Sequence, residues 1–347
     1  MDTYALDGLW QELAGLFPEY EINFRELMEL LLAGDIFGVG RRFFEMIVTG
    51  IGMEMESMRT ALVTILVVGM VATMVSQLTG VFTQKQTSEM SFFIFYLFMS
   101  TILLKVFGTV LELARGALER ILEFMRIILP TYLIVVTSAG GTITAGAYKS
   151  ICLGLCVLVE YVLLNGILPG ICAYIVLVIL NGIHEGGRFT LIIDFAKKGI
   201  LLGLKAALLV LTGTSVLQSM ITPTLDANGK NVLRKVVSSL PGVGNVTENV
   251  YELMLGSAVV IKNCTSVLFL FLLLLIGVSP LLYMYGIGVL VDLLAAFLGV
   301  MGDGKMVKLI HDVAGGIFLL VRTVGCALLL FLLSISILAM TTGRGVI

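Results

Sequence analysis

A chain of 347 residues is long enough for two or three soluble domains, but 58% hydrophobic and 13% charged residues exclude that arrangement, since soluble domains carry about 25% charged residues. At a mean hydropathy of +1.05 there is more apolar surface than a soluble interior of this size can hide, so lipid is the solvent for much of the chain. The net charge of −2 conceals an acidic head, 11 acids against four bases over residues 1–59, and a basic remainder; no basic soluble face exists for a nucleic acid.

The opening MDTYALDGLWQEL has neither the basic stretch nor the apolar core of a secretory signal. The reading leaves two options: a signal already removed, or a first spanning helix that sets the topology. Leu6, Leu9, Trp10, Leu13, Leu16 and Phe17 share a helical face that Pro18 closes. Asn23 followed by Glu26 resembles a capping box opening a helix over 24–33, with Gly34 as its stop. Beyond Asp35, residues Ile36, Phe37, Val39, Phe43, Phe44, Ile47 and Val48 make a second apolar face. Residues 1–59 are therefore expected to form an acidic amphipathic helical region lying against the membrane, ahead of a polytopic membrane domain over 60–347.

Spanning a bilayer takes about 20 apolar residues. Residues 60–82 and 91–111 meet that length, and 143–168, 169–184, 199–220, 265–279, 281–300 and 315–340 are further expected spans, about eight in all. Three charged amphipathic stretches, 112–126, 186–198 and 225–239, are expected at the interface. Two segments fit neither class. Residues 127–142 hold Leu129-Pro130 and end in Ser-Ala-Gly-Gly; residues 240–263 open on Leu240-Pro241 and mix polar groups into an apolar background. Broken or re-entrant backbone at membrane depth is tolerated only where protein buries it or water lines it. Pro130, Gly140, Gly141, Pro241, Gly242, Gly244, Asn245 and Lys262 are accordingly candidate conduit-lining or structural residues. The alternative is a pair of kinked helices and an ordinary loop.

A shift of 111 residues aligns Leu129-Pro130 with Leu240-Pro241 and Pro169 with Pro280, and also pairs Tyr174 with Tyr285 and Lys197 with Lys308. It suggests repeats over 91–198 and 199–313, followed by a final helix at 315–340. Three crossings per copy would invert the second copy, an architecture used for moving solutes. The bases split evenly between the two faces of that arrangement, so charge gives no orientation.

Ionisable side chains within apolar runs are costly unless paired or wetted; Lys105, Glu160, Lys205, Lys262, Asp292 and Arg322 qualify. Glu160 and Asp292 read either as lining or coupling residues or as structural partners of Lys205, Lys262 or Arg322, the second being favoured. His184 and His311 sit at expected helix ends and belong to no metal-ligand cluster. The segment Gly141 to Ser150 has two residues too many between its second glycine and Lys149 for a phosphate loop. The five cysteines, Cys152, Cys156, Cys172, Cys264 and Cys326, lie in or beside apolar runs without a CxxC, and read as packing residues. No catalytic residue, metal site or cofactor is expected.

The run LPTYLIVVTSAGGTITAG over 129–146, the later LPGVGN and VIKN within 240–263, and the order of apolar blocks resemble the stage III sporulation protein AE family of endospore-forming bacteria, from about residue 22 onward. The resemblance implies a non-enzymatic membrane component of the channel joining mother cell and forespore, in the mother-cell membrane that surrounds the forespore. Its implied partners are the other stage III A sporulation proteins and, through the complex, the forespore Q protein, in an oligomeric assembly. An autonomous secondary transporter is the competing reading, motivated by the repeat and by Glu160 and Asp292. The expected fold is all-α and polytopic, with about eight transmembrane helices, interfacial amphipathic helices and two broken or re-entrant Leu-Pro segments.

Overall fold

The structure is a computed structural model that describes residues 24–35, 37–48, 85–138, 154–183, 188–209, 244–301 and 304–341, with isolated positions 15, 63, 67, 71 and 213. All regular structure among the described residues is helical. In chain order the helices are α1 (Phe24–Leu32), α2 (37–48), α3 (Lys85–Ser138), α4 (Gly154–Ile183), α5 (190–209), α6 (Gly244–Met301) and α7 (Gly304–Thr341).

The first turn between helices is legible in detail. Gly34 ends α1 at φ +81, a left-handed conformation that costs glycine nothing. There Gly34 N–H donates to the Leu31 carbonyl and Asp35 N–H to the Leu30 carbonyl, satisfying carbonyls the helix end would leave open. Asp35 then caps α2 by accepting from Gly38 N–H at 2.8 Å. Arg42 closes the pair onto Glu26 at 2.7 Å. Leu27, Leu31, Val39 and Phe43 are buried, and Phe43 stacks on Phe271 of α6 with ring centroids 4.7 Å apart.

Four helices among the described residues are long and apolar enough to cross a membrane: Phe93–Pro130 within α3, Gly154–Ile183, Asn263–Gly299 within α6 and Gly304–Ser336 within α7. α6 and α7 form an antiparallel hairpin. Its contacts run from Gly299 opposite Val307, through Gly288 opposite Phe318, to Gly277 opposite Leu328. α7 touches α3, α4 and α6, and its Ile310, Val313, Ala314, Ile317, Leu320 and Val324 are fully or nearly fully buried. Hydroxyls inside this apolar packing are satisfied locally. Thr265, Thr323 and Ser334 each donate to the carbonyl four residues back. The turn from α4 to α5 is held by buried Asn181, whose side-chain carbonyl accepts from Phe189 N–H at 3.0 Å.

Several expected boundaries are absent. The segments 143–168 and 169–184, where described, are one helix, and so are 265–279 and 281–300. Neither Pro169 nor Pro280 ends a span. Just before Pro169 the backbone widens to a π-helix over Val159–Ile167, and Leu168 N–H donates to the Leu163 carbonyl five residues back. This wider turn accommodates a ring that would clash in an α-helix. Pro130 and Pro280 lie inside α3 and α6, where neighbouring helices hold the chain in place.

The expected break at Leu129-Pro130 is likewise helix as far as Ser138. The later segment is helical from Gly244 onward. The charged stretch 112–126 is not a separate interfacial helix but the middle of α3, and 186–198 runs on into α5. The count of three crossings per copy, from which inversion followed, does not carry over to these helices. The expected span 60–82 and the amphipathic stretch 225–239 lie outside the described residues, apart from isolated positions.

Candidate functional site

α3 has two faces of opposite character. Leu103, Phe107, Val110, Ala114, Ala117, Leu118, Ile121 and Met125 are buried where α3 packs on its neighbours α6 and α7. On the other side, Thr101, Lys105, Thr109, Glu112, Arg115, Glu119, Glu123 and Arg126 are all exposed. Their spacing of three or four residues keeps them on one stripe of a 3.6-residue helix. From Thr101 to Arg126 the stripe runs about 38 Å at 1.5 Å per residue, somewhat more than the roughly 30 Å of a bilayer's hydrocarbon core. Thr101 and Thr109 turn their hydroxyls back onto the carbonyls of Leu97 and Lys105.

Contacts along α3 fix what lies beside the stripe. Near its start, the Tyr96 hydroxyl donates to the Ile179 carbonyl of α4 at 2.8 Å. Gly182 leaves room for that ring, because a β-carbon there would collide with the Tyr96 hydroxyl. Near its end, Arg126 Nη2 meets Glu160 Oε2 in the π-helical turn at 2.6 Å. Beyond it, the buried Tyr132 hydroxyl shares a 2.5 Å hydrogen bond with Ser266 of α6, and its ring meets Phe269 edge-on at 5.7 Å. Residues 161–183 of α4 and 263–291 of α6 contain no Asp, Glu, Lys or Arg apart from nothing but Lys-free, acid-free apolar sequence. A helix face rich in charge therefore runs beside two uncharged spans. Within the described residues, Lys105, Glu112, Arg115, Glu119 and Glu123 make no ion pair.

A second polar group gathers where α4, α5, α6 and α7 meet near the α6–α7 turn. His311 Nδ1 lies 2.7 Å from Asp292 Oδ1. The Tyr174 hydroxyl donates to the Asp312 carbonyl at 3.2 Å. Lys197 Nζ approaches Gly315 closely enough to lie 3.7 Å from a β-carbon placed there. Tyr174 and Tyr285, aligned by the 111-residue shift, both pack against α7, the latter with its ring 5.7 Å from Phe318.

The two acids singled out in the sequence are thus both paired, but to Arg126 and His311 rather than to Lys205, Lys262 or Arg322. They lie on different helix pairs and do not converge. Pro130 continues the exposed face of α3 by one turn. Gly244 and Asn245 form the first residues of α6, and Lys262 lies further along it; the side chains of Asn245 and Lys262 are outside the description, as are Gly140, Gly141, Pro241 and Gly242. Of the charged stripe, the sequence reading isolated Lys105 alone. The signal that would have found the rest is the unbroken three-to-four spacing across the boundary drawn at residue 111.

A family comparison decides the chain's affiliation: residues 22–342 match the family described as stage III sporulation protein AE. The chain belongs to that family. It is also similar to the stage III sporulation protein AE of Bacillus subtilis (strain 168), at 18% identity over 343 residues, covering 97% of this chain and 85% of the relative. No solved structure matches. As a stage III sporulation protein AE family member with four helices able to cross a membrane, the chain is a membrane protein of sporulation.

Proposed function

We propose that this chain is a membrane component of the channel joining mother cell and forespore after engulfment, in the mother-cell membrane around the forespore. It assembles there with the other stage III A sporulation proteins and, through them, with the forespore Q protein. One observation carries the reading beyond family affiliation: the charged face of α3 beside uncharged spans. A charged side chain near the centre of a spanning helix costs about 2.5–3.5 kcal/mol on insertion scales. Five such residues facing lipid would cost more than about 10 kcal/mol. The face therefore belongs to water or to protein, which is what a channel component needs and a lone lipid-bathed bundle does not. In this proposal the Leu-Pro segments, with Pro130, Gly140, Gly141, Pro241, Gly242, Gly244, Asn245 and Lys262, line or brace the conduit.

The test is retrieval of the tagged chain from sporulating cells. Co-purification of stage III A proteins, and its loss together with spore formation when Gly140→Val or Gly242→Val is introduced, is the expected result. Purified chain that moves a solute across liposomes by itself would replace this reading with that of an autonomous transporter.

A further inference from the structure

Resting on the channel reading, the chemistry of the α3 face also identifies what completes it. We propose that this face is the wall of an aqueous lumen closed by further copies of the same chain, related by rotation about an axis parallel to α3.

The first argument is the sign pattern. A partner of different sequence and strong charge fits a face of one sign. This face interleaves both: Lys105, then Glu112, Arg115, Glu119 and Glu123, with Arg126 already held by Glu160. Each ion-pair-free base has an acid within about two turns along the same stripe, so an identical neighbour displaced by a turn offers it an opposite charge.

The second argument is the symmetry operator. Copies inserted in one membrane share an orientation, so a closed ring must turn about the bilayer normal. An antiparallel two-fold pairing centred between residues 115 and 116 fails on charge as well, since it sets Glu112 against Glu119 and Lys105 against Arg126. Rotation about the normal instead makes each residue a ring of like charges. Such rings repel at dry contact and are accommodated when water separates them. The rings alternate from basic to acidic to basic to acidic over the roughly 27 Å between Lys105 and Glu123. A watered lumen, not a dry helix seam, satisfies that order.

Gly108 and Gly116 supply the probes. A β-carbon at either meets no atom within 4 Å, and both lie beside the stripe on the same helix. The full chain, with its natural cysteines replaced, is given G108C or G116C, with L202C on the exposed apolar side of α5 as the lipid-side control. A thiol reacts as its thiolate, which an apolar medium suppresses. In native membranes both glycine positions are expected to react with a charged, water-soluble methanethiosulfonate at least about tenfold faster than L202C, a one-unit difference in thiol pKa. A flexible bismaleimide is expected to join two copies through at least one of them.

Reaction no faster than at L202C overturns the lumen. Fast reaction without cross-linked dimers at either position overturns closure by a second copy. If the cysteine variants fail to insert, native mass spectrometry of the unaltered chain in nanodiscs decides, a single copy being the overturning result. Stage III A proteins retained by a chain that forms no dimers would sink this proposal and leave the channel reading standing. Dimers without those partners would do the reverse.

Discussion

The Arg126 guanidinium lies 2.6 Å from the Glu160 carboxylate, tying the charged face of α3 to the π-helical turn of α4. Each side chain is about half exposed. In water such a pair contributes only about 0.2–1 kcal/mol, and at the edge of an apolar span the loss of one partner costs more than the pair contributes. Arg126→Ala and Glu160→Ala are each expected to lower the detergent-solubilised protein's unfolding midpoint, by the equivalent of about 1 kcal/mol. The exchanged pair, Arg126→Glu with Glu160→Arg, is expected to recover much of that loss. Additive losses in a double-mutant cycle, read by thermal unfolding, would show that the two groups do not couple.

Adjacent glycines on α7 make a sharper contrast. A β-carbon at Gly316 collides with the Ile175 side chain of α4, whereas at Gly315 it meets only the Tyr174 hydroxyl at 3.5 Å and Lys197 Nζ at 3.7 Å. Gly316→Ala is therefore expected to lower stability by about 1–3 kcal/mol, the usual cost of overpacking. Gly315→Ala is expected to be neutral, or to gain up to about 1 kcal/mol from helix propensity. The fraction of protein remaining monodisperse after heating in detergent distinguishes them, and equal behaviour would place α4 and α7 further apart than described.

Phe43 and Phe44 test how the amino-terminal helices are held. Phe43 is buried and stacked on Phe271, while Phe44 is largely exposed. Phe43→Ala is expected to cost about 3–5 kcal/mol of local docking, freeing α1 and α2 for proteolysis while α6 and α7 stay folded. Phe44→Ala is expected to change the cleavage rate little. Limited proteolysis followed by mass analysis of the fragments reads both, and equal cleavage of the two variants would show that Phe43 does not hold the helices on α6.

The lipid solvent, the helical class and the Gly34 stop were all legible in the sequence because each rests on a local signal: apolar run length, 3.6-residue spacing, or one residue that tolerates positive φ. Helix boundaries inside the membrane part were not. Pro169 and Pro280 read as terminators by soluble-protein logic, where water satisfies freed carbonyls at a helix end. In a packed apolar setting, continuing the helix with a widened turn leaves fewer open backbone groups than stopping it. The same habit divided α3 at residue 111, where charge begins. Composition changed there but periodicity did not: Thr101, Lys105, Thr109, Glu112, Arg115 and Glu119 keep one face across the divide. Glu160 and Asp292 were recognised as needing partners. Their actual partners come from helices whose packing no sequence spacing encodes.

That continuous face yields the prediction with the widest separation between outcomes. Replacing Glu112, Glu119 and Glu123 together by Leu removes three of its charges without touching the buried side of α3. If the face met lipid, the change would relieve about 2.5 kcal/mol or more per residue, raising stability while leaving sporulation unaffected. If water wets the face, the same change exposes three apolar side chains in a polar channel wall. The variant is then expected to insert at normal levels, to show no gain in thermal stability, and to reduce heat-resistant spores by at least about tenfold, the effect of roughly 1.4 kcal/mol on an assembly equilibrium. The paired reading, membrane-inserted protein against spore count in the same culture, separates a wetted face from a lipid-facing one whichever way the stability moves.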